Sequence, residues 1–170
     1  MKKYLWAIVA AGFLMVLGIR YGAEAQDSFP AFSTRSLDGK RVTNGIFTEK
    51  KLTVLNFWAT WCSPCLEEMP DLGRLGRTMP EGSQLIGVLI DGYDDEESLN
   101  EAREILEETQ ADFLQIMPAE AMSPILKTVT AIPTTIFVDS QGRIVGKPLV
   151  GSRSEAAYRE AVAATLKSLK

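Results

Sequence analysis

Cys62 and Cys65 are the only cysteines of this 170-residue chain, and they are spaced as C-x-x-C. An apolar run, residues 52–59, leads directly into the pair, so the motif falls where a predicted strand gives way to a predicted helix. This setting is typical of a dithiol/disulfide redox pair. Two cysteines at the first turn of a helix can bring their sulfur atoms within bonding distance, and the helix N-terminus favours the thiolate of the first.

Two other interpretations of the cysteine pair are less favoured. A structural zinc site needs four ligands, usually Cys and His, and this sequence has two Cys and no His. A purely structural disulfide would add little stability, because the loop that it closes is so short. The absence of His also removes Cys-His and Ser-His nucleophile pairs. We therefore expect no metal and no cofactor, with the redox chemistry carried by the two thiols and a carboxylate.

Two segments resemble a known family. Residues 54–70, VLNFWATWCSPCLEEMP, resemble the active-site region of the thioredoxin superfamily, and more narrowly that of the TlpA/ResA-like extracytoplasmic thiol-disulfide oxidoreductases. Residues 132–139, IPTTIFVD, resemble the cis-proline loop and the following strand of the same family. The resemblance runs from about Phe29 to the C-terminus. It implies an α/β, thioredoxin-like fold, in which helices flank a central mixed β-sheet, with an N-terminal hairpin and a central helix-strand insertion.

Hydrophobic periodicity and turn residues predict the elements that position these motifs. A small hairpin is expected within residues 32–43, around the Asp38-Gly39 turn. Strands are predicted over residues 52–59, 84–90, 113–117, 134–139 and 143–150. Helices are predicted over residues 63–77, 94–109, 123–130 and 155–169. The length suits one domain, residues 26–170, after a targeting segment.

Residues 1–25 have the pattern of a targeting segment. Lys2 and Lys3 precede an uncharged and mostly apolar run, residues 5–19, and Ala23-Glu24-Ala25 offers an A-x-A cleavage site. The apolar run is shorter than the ~20 residues of a full transmembrane helix. The segment is predicted to be a signal peptide or an N-terminal membrane anchor. Either one would place the domain outside the cytoplasm, in the periplasm or at the outer face of the cytoplasmic membrane.

The two thiols are expected to have different roles. Cys62, at the exposed start of the helix, is expected to attack a client disulfide, and Cys65, one turn in and more buried, to resolve the mixed disulfide. Glu68 lies one helical turn after Cys65, where the family has an acidic residue thought to assist the thiols. The alternative for Glu68 is a solvated helix charge, which is also the expectation for Glu67. Asn56 stands where thioredoxins have a buried Asp, so a proton relay from that position is not expected.

The resemblance also implies a docking surface for the client. The Ile132-Pro133 bond is expected to be cis, with its loop facing the C-x-x-C motif. In this fold the backbone of the residue before the proline pairs with an extended client chain, which is a form of strand addition. Trp61 and Ile132 are expected to shape the surface. The alternative for Pro133 is an ordinary trans proline at the start of a strand.

The resemblance therefore implies a thiol-disulfide reductase whose partners are a disulfide-bearing client and a membrane electron donor of the DsbD/CcdA type. Cytochrome c maturation and the repair of envelope proteins are the expected settings, and a monomer is expected. The net charge of −4 gives no reason to expect nucleic-acid binding. The alternatives are a disulfide-forming oxidase, which would resemble C-P-H-C, a redoxin-type peroxidase, which needs a Pro-x-x-x-Thr-x-x-Cys arrangement, and a non-enzymatic binding module.

Overall fold

The computed structural model describes residues 28–92 and 96–169 of the chain. The predicted targeting segment, residues 1–25, lies outside the described residues, as do Asp94 and Asp95 at the predicted start of the acidic helix. Within the described residues, no helix is both long enough and apolar enough to cross a membrane.

Strands and helices alternate along most of the chain. The strands of the described residues are β1 Ser33–Arg35, β2 Arg41–Thr43, β3 Leu52–Trp58, β4 Ser83–Leu89, β5 Leu114–Ile116, β6 Thr134–Asp139 and β7 Ile144–Val150. The α-helices of the same residues are α1 Ser63–Arg77, α2 Glu96–Glu108, α3 Ser123–Leu126 and α4 Glu155–Ser168. Short 3-10 helices cover Asn44–Glu49 and Glu120–Met122.

A five-stranded mixed sheet, in the order β5-β4-β3-β6-β7, forms the centre of the fold. The pairs β3/β4 and β4/β5 are parallel, while β3/β6 and β6/β7 are antiparallel. The α2–β5 unit adds the outer parallel strand and is the predicted helix-strand insertion. This sheet with its flanking helices confirms the predicted thioredoxin-like class.

Strand β3 lies in the middle of the sheet because its side chains are apolar toward both faces. Every residue of Leu52–Trp58 is buried. Since side chains alternate along a strand, Val54 and Trp58 join one core cluster, while Leu55 and Phe57 join the other. The first cluster contains both cysteines and buried residues of α1 and α4. The polar residue Asn56 therefore points into the core on the side of the cysteines.

Helix α1 begins directly at the cysteine motif. Cys62 is its N-cap residue, and Pro64 lies in the first turn, where the missing N–H costs little. Met69, Leu72 and Leu75 are fully buried, as the predicted apolar stripe requires. The helix continues through Pro70 to Arg77, which matches the predicted bounds.

The N-terminal hairpin is also confirmed. β1 and β2 pair antiparallel, and Gly39 takes a φ of 77° in the turn between them. Helix α3 is shorter than the predicted 123–130. Beyond Leu126 the backbone makes turn-type bonds from Thr128 to Ile125 and from Val129 to Leu126, and the Thr128 hydroxyl also donates to the Ile125 carbonyl. These local bonds replace the α-helical pattern and end the helix early.

Candidate active site

The two cysteines are joined as a disulfide, so the structure is that of the oxidised protein. Their Cα atoms are 5.2 Å apart, which is within the range that a disulfide spans without backbone movement. Cys65 is fully buried, whereas Cys62 retains an exposed fraction of 4%. The order of accessibility is as the sequence predicted, although Cys62 is more covered than its position at a helix start suggested.

The backbone of the first helical turn points toward the sulfur of Cys62. The Cys65 N–H donates to Cys62 Sγ over 3.3 Å, and the same N–H also donates to the Cys62 carbonyl over 2.9 Å. After reduction the Cys65 N–H would face a thiolate at the positive end of the α1 dipole. The N-terminus of α1 thus favours the attacking form of Cys62.

Glu68 is buried, with an exposed fraction of 2%, so it is not a solvated helix charge. Its Oε1 accepts a hydrogen bond from Asn56 Nδ2 over 2.9 Å. Its Oε2 accepts from the Tyr158 hydroxyl over 3.0 Å and from the Arg153 backbone N–H over 2.9 Å. Three donors from β3, α4 and the segment before α4 therefore converge on one carboxylate. Glu67, by contrast, is exposed as predicted.

Burial raises the pKa of Glu68 above its usual value of 4.5. The hydrogen bonds from Arg153, Asn56 and Tyr158 act in the opposite direction, as does the charge of the Arg153 guanidinium. Burial also raises the pKa of the Tyr158 hydroxyl, and the neighbouring Glu68 charge adds to the effect. Tyr158 therefore stays protonated and serves Glu68 as a donor. Such a carboxylate can exchange a proton at a pH above the usual Glu range.

Asn56 links Glu68 to the neighbouring strand. It lies opposite Thr135 in the β3/β6 register, and its Nδ2 donates to Thr135 Oγ1 over 3.1 Å. The hydroxyls of Thr135 and Tyr158 are 3.1 Å apart. Within the described residues, Asn56 Oδ1 is buried without a hydrogen-bond partner. The sequence placed no relay at this position, and the structure shows that Asn56 instead contacts Glu68 directly.

The Ile132-Pro133 bond is cis, as the resemblance implied. Pro133 is buried, while Ile132 is partly exposed and packs against the core cluster that contains both cysteines. The Pro133 carbonyl accepts a hydrogen bond from the Gly151 N–H over 2.8 Å. This bond ties the cis-proline loop to the chain that follows β7.

The two tryptophans near the motif differ in their surroundings. Trp61 has an exposed fraction of 69%, which leaves its ring open to solvent beside Cys62. Trp58 is fully buried, and its Nε1 donates to Gln115 Oε1 over 2.9 Å. Trp61 is thus available for contact with another molecule, whereas Trp58 belongs to the core.

Several site residues were not found by sequence reasoning. Thr60, just before the motif, donates from its backbone N–H over 3.0 Å and from its hydroxyl over 2.9 Å to Asp91 Oδ2. Tyr158, Thr135 and Arg153 carried no functional signal in the sequence. Tyr158 lies 90 positions from Glu68 along the chain, so no local pattern joins them.

The described residues contain no group of three or more His, Cys, Asp or Glu side chains arranged to hold a metal ion. Helix α1 carries both the disulfide and, one turn after Cys65, the buried carboxylate of Glu68. That arrangement suits proton and electron exchange at sulfur.

Comparisons with known proteins agree with this chemistry. The family model described as Redoxin matches residues 24–165. The thiol-disulfide oxidoreductase ResA of Bacillus thuringiensis subsp. konkukian is 30% identical over 145 residues, which cover 80% of this chain and 78% of that protein. The thiol:disulfide interchange protein DsbE of Pseudomonas fluorescens biotype C is 28% identical over an alignment of 181 positions, which covers 99% of this chain and 97% of that protein.

A solved structure shows the same fold. The crystal structure of a thiol:disulfide interchange protein from Chlorobium tepidum matches with a TM-score of 0.68 and 26% sequence identity. The match covers 82% of this chain and 95% of that one. Taken with the Cys62–Cys65 pair at the start of α1, these similarities show that the chain belongs to the Redoxin family and is a thiol-disulfide oxidoreductase of the DsbE/ResA type.

Proposed function

We propose that this protein is an extracytoplasmic thiol-disulfide reductase that passes two electrons from the Cys62/Cys65 dithiol to a disulfide of a client protein. The observation that carries the proposal is the burial of Glu68 one turn after Cys65, where three donors hold its carboxylate in the core. Because burial raises its pKa, this carboxylate can accept the proton that Cys65 must lose before it attacks.

The proposed cycle is two successive exchanges at sulfur. The Cys62 thiolate attacks one sulfur of the client disulfide, the client S–S bond breaks, and the other client sulfur leaves as a thiolate. Cys65 then gives its proton to Glu68 and attacks Cys62 Sγ, so that the second client sulfur leaves. The products are a client dithiol, after its thiolates take up protons, and the Cys62–Cys65 disulfide.

The surroundings of Cys62 support a reductase over a disulfide-forming oxidase. A strong oxidant stabilises its reduced form, chiefly through a strongly stabilised first thiolate. Here the Cys62 thiolate would have the Cys65 N–H, 3.3 Å from Cys62 Sγ, as a neutral donor, but Ser63 and Pro64 between the cysteines add no positive charge that would stabilise it further. Pro64 also has no N–H to offer.

We propose that Trp61, Ile132 and Pro133 form the client-docking surface. The exposure of Trp61 beside Cys62 and the cis bond before Pro133 support this assignment. An extended client segment would pair its backbone with the residue before the proline and place an apolar side chain against Trp61. Recognition of this kind reads the extended shape of the client more than its sequence.

The setting follows from the leader pattern and the need for electrons. The Lys2-Lys3 start, the apolar run 5–19 and the A-x-A site support export by a signal peptide or retention by an anchor. Outside the cytoplasm a reductase must be re-reduced, and a membrane dithiol donor of the DsbD/CcdA type would do this. Apocytochrome c and oxidised envelope proteins are the proposed clients, and the protein is proposed to act as a monomer.

The reduction potential of the Cys62/Cys65 pair tests the proposal. The pair would be equilibrated with a redox buffer, with Cys62→Ser as the blank. A value near −270 mV, the thioredoxin end of the known range, is expected for a reductase. A value near −120 mV would contradict the proposal and favour an oxidant that forms disulfides.

A second experiment separates the remaining alternatives. Reduced wild-type protein is expected to reduce an insulin-like disulfide. Peroxide should oxidise the reduced wild-type protein no faster than it oxidises the Cys62→Ser blank. Cys65→Ser is expected to accumulate a mixed disulfide with the client, because the resolving thiol is missing. Fast peroxide turnover would favour the peroxidase alternative, and no disulfide turnover would favour a binding module.

A further inference from the structure

The segment that joins β7 to α4 is held by one side chain. Arg153 Nη1 donates to the Ser152 carbonyl over 2.8 Å and to the Gly151 carbonyl over 3.2 Å, and its Nη2 donates to the Val150 carbonyl over 2.9 Å. Three consecutive carbonyls thus face a single guanidinium. This arrangement orders a segment in which Val150, Ser152 and Arg153 are all exposed.

The same segment contacts two parts of the active site. At one end, the Gly151 N–H donates to the Pro133 carbonyl over 2.8 Å. At the other end, the Arg153 N–H donates to Glu68 Oε2 over 2.9 Å. Residues 150–153 therefore bridge the cis-proline loop and the buried carboxylate. Movement of residues 150–152 would disturb the contact with Pro133, whereas the N–H that donates to Glu68 is a backbone group that Arg153→Ala and Arg153→Lys both keep.

The guanidinium is well suited to hold such a bridge. Three carbonyl oxygens that point toward one place concentrate negative partial charge, which a cation offsets. A guanidinium offers five N–H donors in a fixed planar fork and can meet several acceptors at once. A Lys ammonium keeps the charge but lacks the fork, so it cannot reproduce the two-nitrogen contact with residues 150–152.

We infer that Arg153 is a positioning residue for disulfide exchange, whose guanidinium holds residues 150–152 so that the cis-proline loop stays in place to receive an extended client. The inference rests on the proposed function, because it assigns client docking to the loop that contains Ile132 and Pro133. Arg153 acts through the backbone of its own segment and not on the reacting sulfurs. It should therefore matter for clients that use the loop and not for small disulfides.

The test compares two substrates and three variants. The substrates are a peptide disulfide with extended flanking residues and a small aromatic disulfide, each mixed with reduced protein. The variants are Arg153→Ala, Arg153→Lys and the control Arg159→Ala. Arg159 is on α4, and its guanidinium donates to the Thr78 carbonyl over 3.0 Å and to Glu155, away from the bridge.

Both Arg153 variants are expected to raise the KM for the peptide about fivefold to tenfold, as expected for the loss of a hydrogen-bonded positioning contact. The rate with the small disulfide should change by less than the peptide KM in both Arg153 variants. It should stay within about twofold of wild type in Arg153→Lys, which keeps the positive charge near Glu68, and Arg159→Ala should match wild type with both substrates. If Arg153→Ala does not fold, the comparison is made with Arg153→Lys alone.

Three results would overturn the inference: an unchanged peptide KM, an equal loss with both substrates, or an equal KM rise in Arg159→Ala. Full recovery in Arg153→Lys would overturn it too, because it would mean that the positive charge only steers the client. If wild-type protein itself fails to reduce the peptide, the proposed reductase function fails first and the inference falls with it.

Discussion

Asn56 Nδ2 lies 2.9 Å from Glu68 Oε1 and donates a hydrogen bond that joins the central strand to the active-site helix. The other carboxylate oxygen is held from a different direction, by Tyr158 and by the backbone of Arg153. Glu68 lies in the second turn of α1, one turn after Cys65. Its carboxylate is held by donors from three other parts of the chain, so its state depends on how those parts pack around α1.

Glu68→Gln is expected to change how stability depends on pH. Burial raises the pKa of Glu68 above 4.5, so its protonated form is favoured in the folded state. Its contribution to the free energy of unfolding is therefore full below 4.5 and is lost as the pH rises through the folded pKa. Urea unfolding of the oxidised protein at a series of pH values above 4.5 should show this loss in wild type and not in Glu68→Gln.

The same variant should fold, since Asn56 Oδ1 has no hydrogen-bond partner among the described residues and can accept from the new amide after the Asn56 side chain rotates. The resolving step should slow about 100-fold, the usual effect of removing a proton acceptor. Glu67→Gln, on the exposed neighbour, is the matched control and should change neither property. Equal pH profiles for wild type and Glu68→Gln would contradict the assignment.

Asn56→Asp is expected to destabilise the protein at neutral pH by about 2–4 kcal/mol. The substitution places a second carboxylate within 2.9 Å of Glu68, where two negative charges cannot both be held without cost. The loss should shrink as the pH falls and one carboxyl group takes up a proton. Asn44→Asp changes an exposed Asn in the same way and should have little effect on the urea midpoint. If Asn56→Asp is as stable as wild type at neutral pH, the prediction that two negative charges meet at this position is wrong.

Gly151→Ala should impair reaction with a peptide disulfide. Gly151 has a φ of 84°, a conformation that costs about 1–2 kcal/mol for a residue with a Cβ, and relaxation of this strain would move the N–H away from the Pro133 carbonyl. Gly39→Ala is the control, because Gly39 has a φ of 77° and open space around it, far along the chain from the loop. Both variants should lose similar stability in urea, but only Gly151→Ala should raise the peptide KM.

Trp61→Ala should reduce client binding without unfolding the protein. Its exposed fraction of 69% means that little core packing is lost, so the free energy of unfolding should stay within about 0.5 kcal/mol of wild type. The peptide KM should rise, because the aromatic contact beside Cys62 is gone. Trp58→Phe should have the opposite effect. It should lower the free energy of unfolding by about 2 kcal/mol, because the buried hydrogen bond from Trp58 to Gln115 is lost, and it should leave the peptide KM unchanged. A peptide KM unchanged in Trp61→Ala would remove Trp61 from the docking surface.

The elements of this fold were largely predictable because their signals are local. The apolar run before Cys62, the helix stripe of Met69, Leu72 and Leu75 and the Asp38-Gly39 turn each reflect burial or backbone preference within a few residues. The two short 3-10 helices and the early end of α3 were not predicted, because they depend on single hydrogen bonds such as that of the Thr128 hydroxyl.

For the active site, too, the sequence predicted the features that have local signals and missed those that depend on distant parts of the chain. Residue types and spacing single out the Cys62/Cys65 pair at a helix start, and the resemblance of residues 132–139 to a known family points to Pro133. Residue types and spacing could not decide whether Glu68 is solvated or buried. Its burial and its donors come from Asn56, Arg153 and Tyr158, which lie 12, 85 and 90 positions away along the chain. The state of a carboxylate depends on the dielectric and the donors around it, and only the packed tertiary structure supplies those.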